Sequence, residues 1–321
     1  MRIGLIDVDG HRYPNLPLMK LSAWHKEKGD TVEWYEPLFH TIGEPFDLVY
    51  MSKVFSFSPD YPYGINCKKL VRGGSGYAID LVDGKEIYRK EKDIDLPYEI
   101  EHICPDYSMY PEHTKDTAFG FLTRGCPRAC HFCHVSTKEG RLSRKVADLS
   151  EFWQGQKHIE ILDPNTLACK DWEPCLQQLI DSKARINFNQ GLDIRATNDH
   201  KNEMISQIKI DEIHFAWDRY EDKEIICPKF DAFRKISKVH PHDLQVYVIT
   251  GDRERRITDE DLYRIYWLRD HGYAPYVTIY DKSNLPRNHE LIKLQRWVNN
   301  RWVFWKVPTF EDYKKEGWKN A

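Results

Sequence analysis

Apolar and polar residues follow two successive patterns along the chain. In the first, short apolar runs at 2–8, 31–35, 47–51 and 69–72 have the length and the Val, Ile and aromatic content of strands. Between the first two, residues 17–28 place Leu18, Leu21 and Trp24 at helical spacing and stop at Gly29, a helix-ending residue. The fourth run ends in Gly73-Gly74-Ser75-Gly76. Together these predict a small open α/β, Rossmann-like domain over residues 1–79, with a mainly parallel sheet. Residues 80–116, rich in charge, Pro and Tyr, predict a linker that wraps the next domain.

From Thr117 a second pattern begins and repeats. Strand-like runs at 118–123, 158–162, 185–189, 212–216, 245–250 and 275–280 are each followed by a helical stretch, around 145–154, 171–182, 199–208, 229–238, 258–271 and 287–298. Six β-α units in series predict an α/β fold with a partial (β/α)6 TIM-like barrel over 117–285. A C-terminal aromatic and basic segment, 286–321, is expected to pack on it. Right-handed crossovers would bring the C-terminal ends of all six strands to one face, where barrel enzymes carry their chemistry.

Composition narrows the function classes only a little. The 321 residues are 41% hydrophobic and 30% charged, with a formal net charge of −3. That suits an ordinary globular core and offers no bulk charge argument for nucleic acid or membrane. No apolar run approaches the ~20 residues of a membrane span, and the N-terminus lacks a signal-peptide layout, so a cytoplasmic protein is expected. Of eight cysteines, three lie within eight residues and five (Cys67, Cys104, Cys169, Cys175 and Cys227) are scattered. In a reducing compartment such clustering points to metal or catalysis, not disulfides.

The clustered cysteines form Gly125-Cys126-Pro127-Arg128-Ala129-Cys130-His131-Phe132-Cys133, a C-x3-C-x2-C loop just after the first barrel strand. Three thiolates on one loop can hold three corners of a four-iron cluster and leave one iron open for a ligand. A zinc site with His131 or His134 as fourth ligand is the rival, although its usual spacing is a repeated C-x2-C. The motif, with its aromatic residue before the last Cys and its β-α context, resembles the radical S-adenosylmethionine (SAM) superfamily. The resemblance implies a [4Fe–4S] cluster on Cys126, Cys130 and Cys133, with SAM on the open iron. It further implies reductive cleavage of SAM to a 5′-deoxyadenosyl radical that acts on a substrate, here unidentified. An electron donor such as flavodoxin or ferredoxin is implied as well.

The N-terminal α/β domain resembles that of the subgroup carrying a cobalamin-binding domain, which makes a cobalamin-dependent radical methyltransferase the alternative function. Cobalamin is nonetheless not expected: Asp9 and His11 match an Asp-x-His-x-x-Gly pattern, but Pro14 stands where the Gly belongs and the domain is short. An alternative of another class is a non-catalytic Fe–S or zinc protein that binds nucleic acid. The basic and aromatic C-terminus, with Trp297, Arg301, Trp302 and Trp305, permits this without favouring it.

Further candidates follow the barrel strands. The resemblance implies that Phe132 packs near the SAM adenine and that Asp163, in Asp163-Pro164-Asn165, contacts the SAM amino group; Asp-Pro-Asn is also a good turn on its own. After the third strand, extended alternation would set Asp193 and Arg195 on the inner side, with Leu192 and Ile194 packed outward. Arg195 could then clamp a carboxylate, and Gln190 or Asp193 could reach ribose hydroxyls. The competing reading is an Asp193–Arg195 ion pair at the rim. Asp218 and Gly251 end the fourth and fifth strands, where Gly251 would let backbone approach the adenine. Asp281, after the sixth, could face substrate.

Overall fold

The computed structural model describes residues 1–82 and 85–316. The chain builds two parallel sheets. The first consists of β1 (Arg2–Asp7), β2 (Thr31–Trp34), β3 (Leu48–Ser52) and β4 (Leu70–Gly73), in the order β2-β1-β3-β4. Helix α1 (Leu16–Glu27) makes the first crossover; Asn15 caps it by accepting a hydrogen bond from the Leu18 amide. Apolar residues lie on both faces of this sheet. Ile3, Leu5 and Leu48 pack with Leu18 and Met19 of α1, while Ile6, Val49 and Met51 pack with Tyr35 and Phe46.

Residues 80–116 do more than link. β5 (Ile79–Val82) pairs antiparallel with β6 (Lys85–Tyr88). Ile100, Met109 and Tyr110 then complete the core on α1, and the Tyr110 hydroxyl donates to Asp7 at 2.7 Å. Tyr107 packs against both cores and donates to the Phe152 carbonyl. Composition hid the rest because a few apolar residues in a polar stretch show no periodicity.

The second sheet contains β7 (Thr117–Gly120), β10 (His158–Ile161), β11 (Arg185–Phe188), β12 (Lys209–Ala216), β13 (Leu244–Thr250) and β14 (Ala274–Ile279). A short antiparallel ribbon, β8 (Thr123–Arg124) with β9 (Arg144–Lys145), lies between the first two. All six sheet strands are parallel, and their spatial order, β14-β13-β12-β11-β10-β7, is their chain order. The crossovers run through α2 (Trp172–Ser182), α3 (Asp199–Gln207), α4 (Lys223–Ile236) and α5 (Asp259–Asp270), and α6 (Glu290–Asn299) follows β14. The helix expected at 145–154 is absent. Lys145 pairs within β9, Val146 donates to the Leu122 carbonyl at 2.8 Å, and only a 3₁₀ turn, Leu149–Glu151, remains. That stretch braces the start of the cysteine loop instead.

Strand alternation gives this sheet two unlike faces. Ile159, Ile161, Ile186, Phe188, Ile213, Phe215, Val246, Val248 and Val277 join one apolar core with the helices, to which the C-terminal Trp297, Phe304 and Phe310 also belong. The intervening Glu160, Asn187, Glu212, His214, Gln245, Tyr247 and Tyr276 are outside that core. Among the described residues no helix is long and apolar enough to cross a membrane.

Candidate cluster and cofactor site

The three cysteines lie on a loop pinned at its base. The β8/β9 ribbon ties residues 123–124 to 144–145. Inside it, the Cys126 amide donates to the Gly140 carbonyl at 3.1 Å, and Glu139 accepts from the Gly125 amide at 3.0 Å and from Arg124 at 3.1 Å. Gly125 has φ +90°, and a Cβ there would run into the Leu142 carbonyl, so only glycine suits the turn. Ala129 carries φ +49°, and the Cys133 amide closes back onto the Cys130 carbonyl at 3.0 Å.

Asp163 holds this loop from below. It is 2% exposed and accepts four hydrogen bonds: from the amides of Leu122 (2.7 Å) and Thr123 (2.9 Å) and the hydroxyls of Thr123 (2.7 Å) and Thr166 (2.9 Å). Burial pushes its carboxyl up to about 6, and the four donors pull the other way. With its oxygens committed to the chain, Asp163 serves as a clamp and does not face a cofactor as expected. Asn165, two residues on, does reach the loop. It is 2% exposed, its Nδ2 lies 3.4 Å from the Cys126 sulfur and 3.4 Å from Asp193, and its Oδ1 is buried without a partner. The turn through Pro164 decides which of the two polar side chains points to the sulfur, and this is why the choice of Asp163 missed it.

The loop spans the mouth of the sheet. Arg128 pairs with Asp193, beyond β11. His131 Nε2 is 2.8 Å from Asp252, beyond β13, and its ring is 5.9 Å from that of Tyr280, beyond β14. A loop that follows the first strand and touches the ends of the third, fifth and sixth requires the sheet to curl. On its other side, Lys138 donates to Ser75, and His134 is 3.1 Å from Glu86, so the first domain leans on the loop.

The remaining expected residues differ in what they meet. Asp193 and Arg195 do reach the mouth, but not by strand alternation: β11 stops at Phe188, and a turn at Gly191 leads to Asp193, which caps the 3₁₀ turn Ile194–Ala196. Leu192 and Ile194 are buried, as their apolar character implied. Asp193 accepts from Arg195 Nε at 2.8 Å, and Arg195 also reaches Asp222 at 3.0 Å, so both form a rim network. Burial opposes the Asp193 charge, yet Arg195 and Arg128 outweigh it and hold the carboxyl below its ordinary range.

Asp218 stands near the sulfurs of Cys130 and Cys133, where burial raises its carboxyl and its Oδ1 accepts from the Ile249 amide at 3.3 Å. Phe132 is half-buried, its ring 5.1 Å from that of His131. Gln190 is exposed on the turn. Gly251 has φ +73°, and its Cβ direction meets Leu291 at 2.8 Å; the glycine accommodates α6. Asp281 pairs with Arg255 at 2.9 Å.

The donor set suits a cluster better than a single ion. Cys126, Cys130 and Cys133 are free, and burial raises the thiols of Cys130 and Cys133, a cost that metal ligation would remove. His131 and His134 are engaged by carboxylates. Among the described residues no three His, Cys, Asp or Glu side chains converge tightly enough for one ion. Three free thiols on one loop, with both neighbouring histidines engaged elsewhere, are the donor type of an iron–sulfur cluster.

No protein-family model matches the chain, and no curated protein matches it by sequence. Among solved structures, the chain is similar to the radical S-adenosylmethionine methyltransferase TsrM from Kitasatospora setae, solved with cobalamin and a [4Fe–4S] cluster bound. The TM-score is 0.57 at 9% identity, over 87% of this chain and 74% of that one. At that identity the likeness establishes a shared α/β fold with parallel sheets.

Proposed function

We propose that this chain is a radical SAM enzyme that acts on a substrate yet to be identified. The observation that carries the reading is the C-x3-C-x2-C loop, laid across the mouth of a six-stranded parallel sheet in a fold shared with TsrM. Cys126, Cys130 and Cys133 would hold a [4Fe–4S] cluster, with no fourth cysteine on the loop. When bound, such a cluster supplies the electron that splits SAM and leaves a 5′-deoxyadenosyl radical.

The chain's own residues prepare the site. Asp163 fixes the start of the loop. Asn165 directs an N–H at the Cys126 sulfur, and its buried Oδ1 is an acceptor suited to an ammonium group such as that of SAM. Arg195 keeps Asp193 charged at the rim, and Arg128 draws the loop to it. A one-electron donor of the flavodoxin or ferredoxin type is needed.

Anaerobic reconstitution tests the reading. About four irons per chain are expected, lost on Cys126→Ala, Cys130→Ala or Cys133→Ala, together with reductant-dependent formation of 5′-deoxyadenosine from SAM. Zinc alone in the native protein, or S-adenosylhomocysteine as sole product, would refute it.

A cobalamin-dependent methyltransferase is the second reading. TsrM carries cobalamin, which opposes the expectation that cobalamin has no place here. The loops after β1, β3 and β4 lie on the side of the first domain that meets the cysteine loop. Against it, His11 packs on Trp34 with ring centroids 4.2 Å apart, and Gly74 and Gly76 are filled by the chain's own Lys53 and Phe55. Corrinoid absorbance in protein expressed with added cobalamin decides between the two.

A further inference from the structure

The inner face of the second sheet carries hydrogen-bond acceptors that the chain uses only in part. Glu160 and Asn187 are register partners on β10 and β11, and Asn187 Nδ2 donates to Glu160 Oε1 at 3.2 Å. A carboxylate only accepts, so this bond fixes the amide orientation and leaves Asn187 Oδ1 as the free end. That oxygen is buried and has no partner. Glu160 forms no ion pair among the described residues. Burial raises its carboxyl, and nearby Glu212 and Asp211 raise it further.

His214, on β12, adds a third acceptor. Its Nδ1 is 3.1 Å from the Phe188 carbonyl, which can only accept, so Nδ1 carries the hydrogen and Nε2 a lone pair; Glu212, which also takes Arg301 at 2.6 Å, has its other oxygen 3.8 Å from that nitrogen. Burial lowers its basicity and favours this neutral form. Aromatic faces continue the wall. Tyr247 stacks on His214 with centroids 5.2 Å apart and planes 7° apart, and Tyr276, 38% exposed, stands edge-on to Tyr247 at 5.6 Å.

Partly used acceptors, an unpaired carboxylate and tyrosine faces together suit a cation that donates hydrogen bonds. Glu160, on β10, lies three residues before Asp163, which follows the strand, and so about 10 Å deeper at most at ~3.3 Å per residue. The wall is therefore a layer below the cysteine loop and Asn165.

We propose that Glu160, Asn187, His214 and Tyr276 form a substrate subsite that takes an alkylammonium or guanidinium group. The substrate would present that group to the wall while its reacting carbon faces the mouth. This assignment deepens the radical SAM reading and rests on it for the term substrate, but binding to the wall does not require iron.

The test uses ethylammonium and methylguanidinium as probes and neutral n-propanol as control. Saturation-transfer NMR follows them on the reconstituted protein and again on iron-free protein. Both cations should bind in both forms, and whichever binds more tightly identifies the ammonium or guanidinium class. Glu160→Gln should weaken them at least tenfold. Tyr276→Leu, at a half-exposed position tolerant of change, should weaken them severalfold. SAM affinity should be unchanged in both variants.

Equal binding of n-propanol, unchanged cation binding in Glu160→Gln, or no binding to the wild-type chain would overturn the proposal. So would an equal loss of SAM affinity in Glu160→Gln, which would give the carboxylate to SAM. Intact cation binding in a protein that takes up no iron would instead overturn the radical SAM reading alone.

Discussion

The two parallel sheets of this protein treat their faces differently. In the first, apolar side chains leave both sides of β1, β3 and their neighbours, and each side is covered. Even Gly4 has no room for a methyl group, since a Cβ there would meet Val49 at 2.9 Å and Phe46 at 3.0 Å. In the second sheet, one side carries the apolar core and the other carries Glu160, Asn187, His214, Tyr247 and Tyr276. A sheet filled on both sides can offer a ligand only its edges and loops. A curled sheet with one polar side offers an enclosed wall as well, at a cost in burial that packing alone does not explain.

This contrast can be broken or sharpened by substitution. Phe215 is 1% exposed on the apolar side of β12, and Phe215→Ala should cost about 3–5 kcal/mol in urea unfolding. A cost near that of a surface change would mean that the apolar side is not the core.

Asp7, in the doubly covered sheet, has its carboxyl raised to about 6, chiefly by burial. Between its ordinary value of 3.8 and 6 the folded chain binds the extra proton, so stability should fall as pH rises through that window and level off above it. Asp7→Asn keeps an acceptor for the Tyr110 hydroxyl and removes this dependence. The variant should therefore gain on the wild type between pH 4 and pH 7, by about 3 kcal/mol at most. Parallel denaturation curves at the two pH values would contradict the burial of that charge.

At the mouth, Asp163→Asn turns an NH₂ toward donors that need an acceptor. A loss of about 1–3 kcal/mol is expected, with poorer iron retention after reconstitution. Full retention of iron would show that the loop stands without its clamp. The smallest effect belongs to the polar wall: Tyr276→Ala should change stability by less than about 0.5 kcal/mol, because the ring is 38% exposed. A large loss there would make the wall a structural layer and erase its contrast with the apolar side.

Much of this architecture was readable from residue order alone. Short apolar runs located all ten strands of the two sheets to within a few residues, because strand formation here follows local apolar pattern. The cysteine loop was equally plain, since its spacing is a property of the chain. What the tertiary structure decided was which polar side chains meet. Asp163 and Asn165 are two residues apart, and only the turn through Pro164 sends one into a clamp and the other to the Cys126 sulfur. Asp193 and Arg195 reach the rim through a turn that strand alternation could not foresee. Glu160 and Asn187 stand 27 positions apart in the chain and read separately as ordinary strand residues. Parallel pairing sets them side by side, and curling of the sheet turns them inward, because register and curvature arise from contacts between strands and not from the pattern within any one of them.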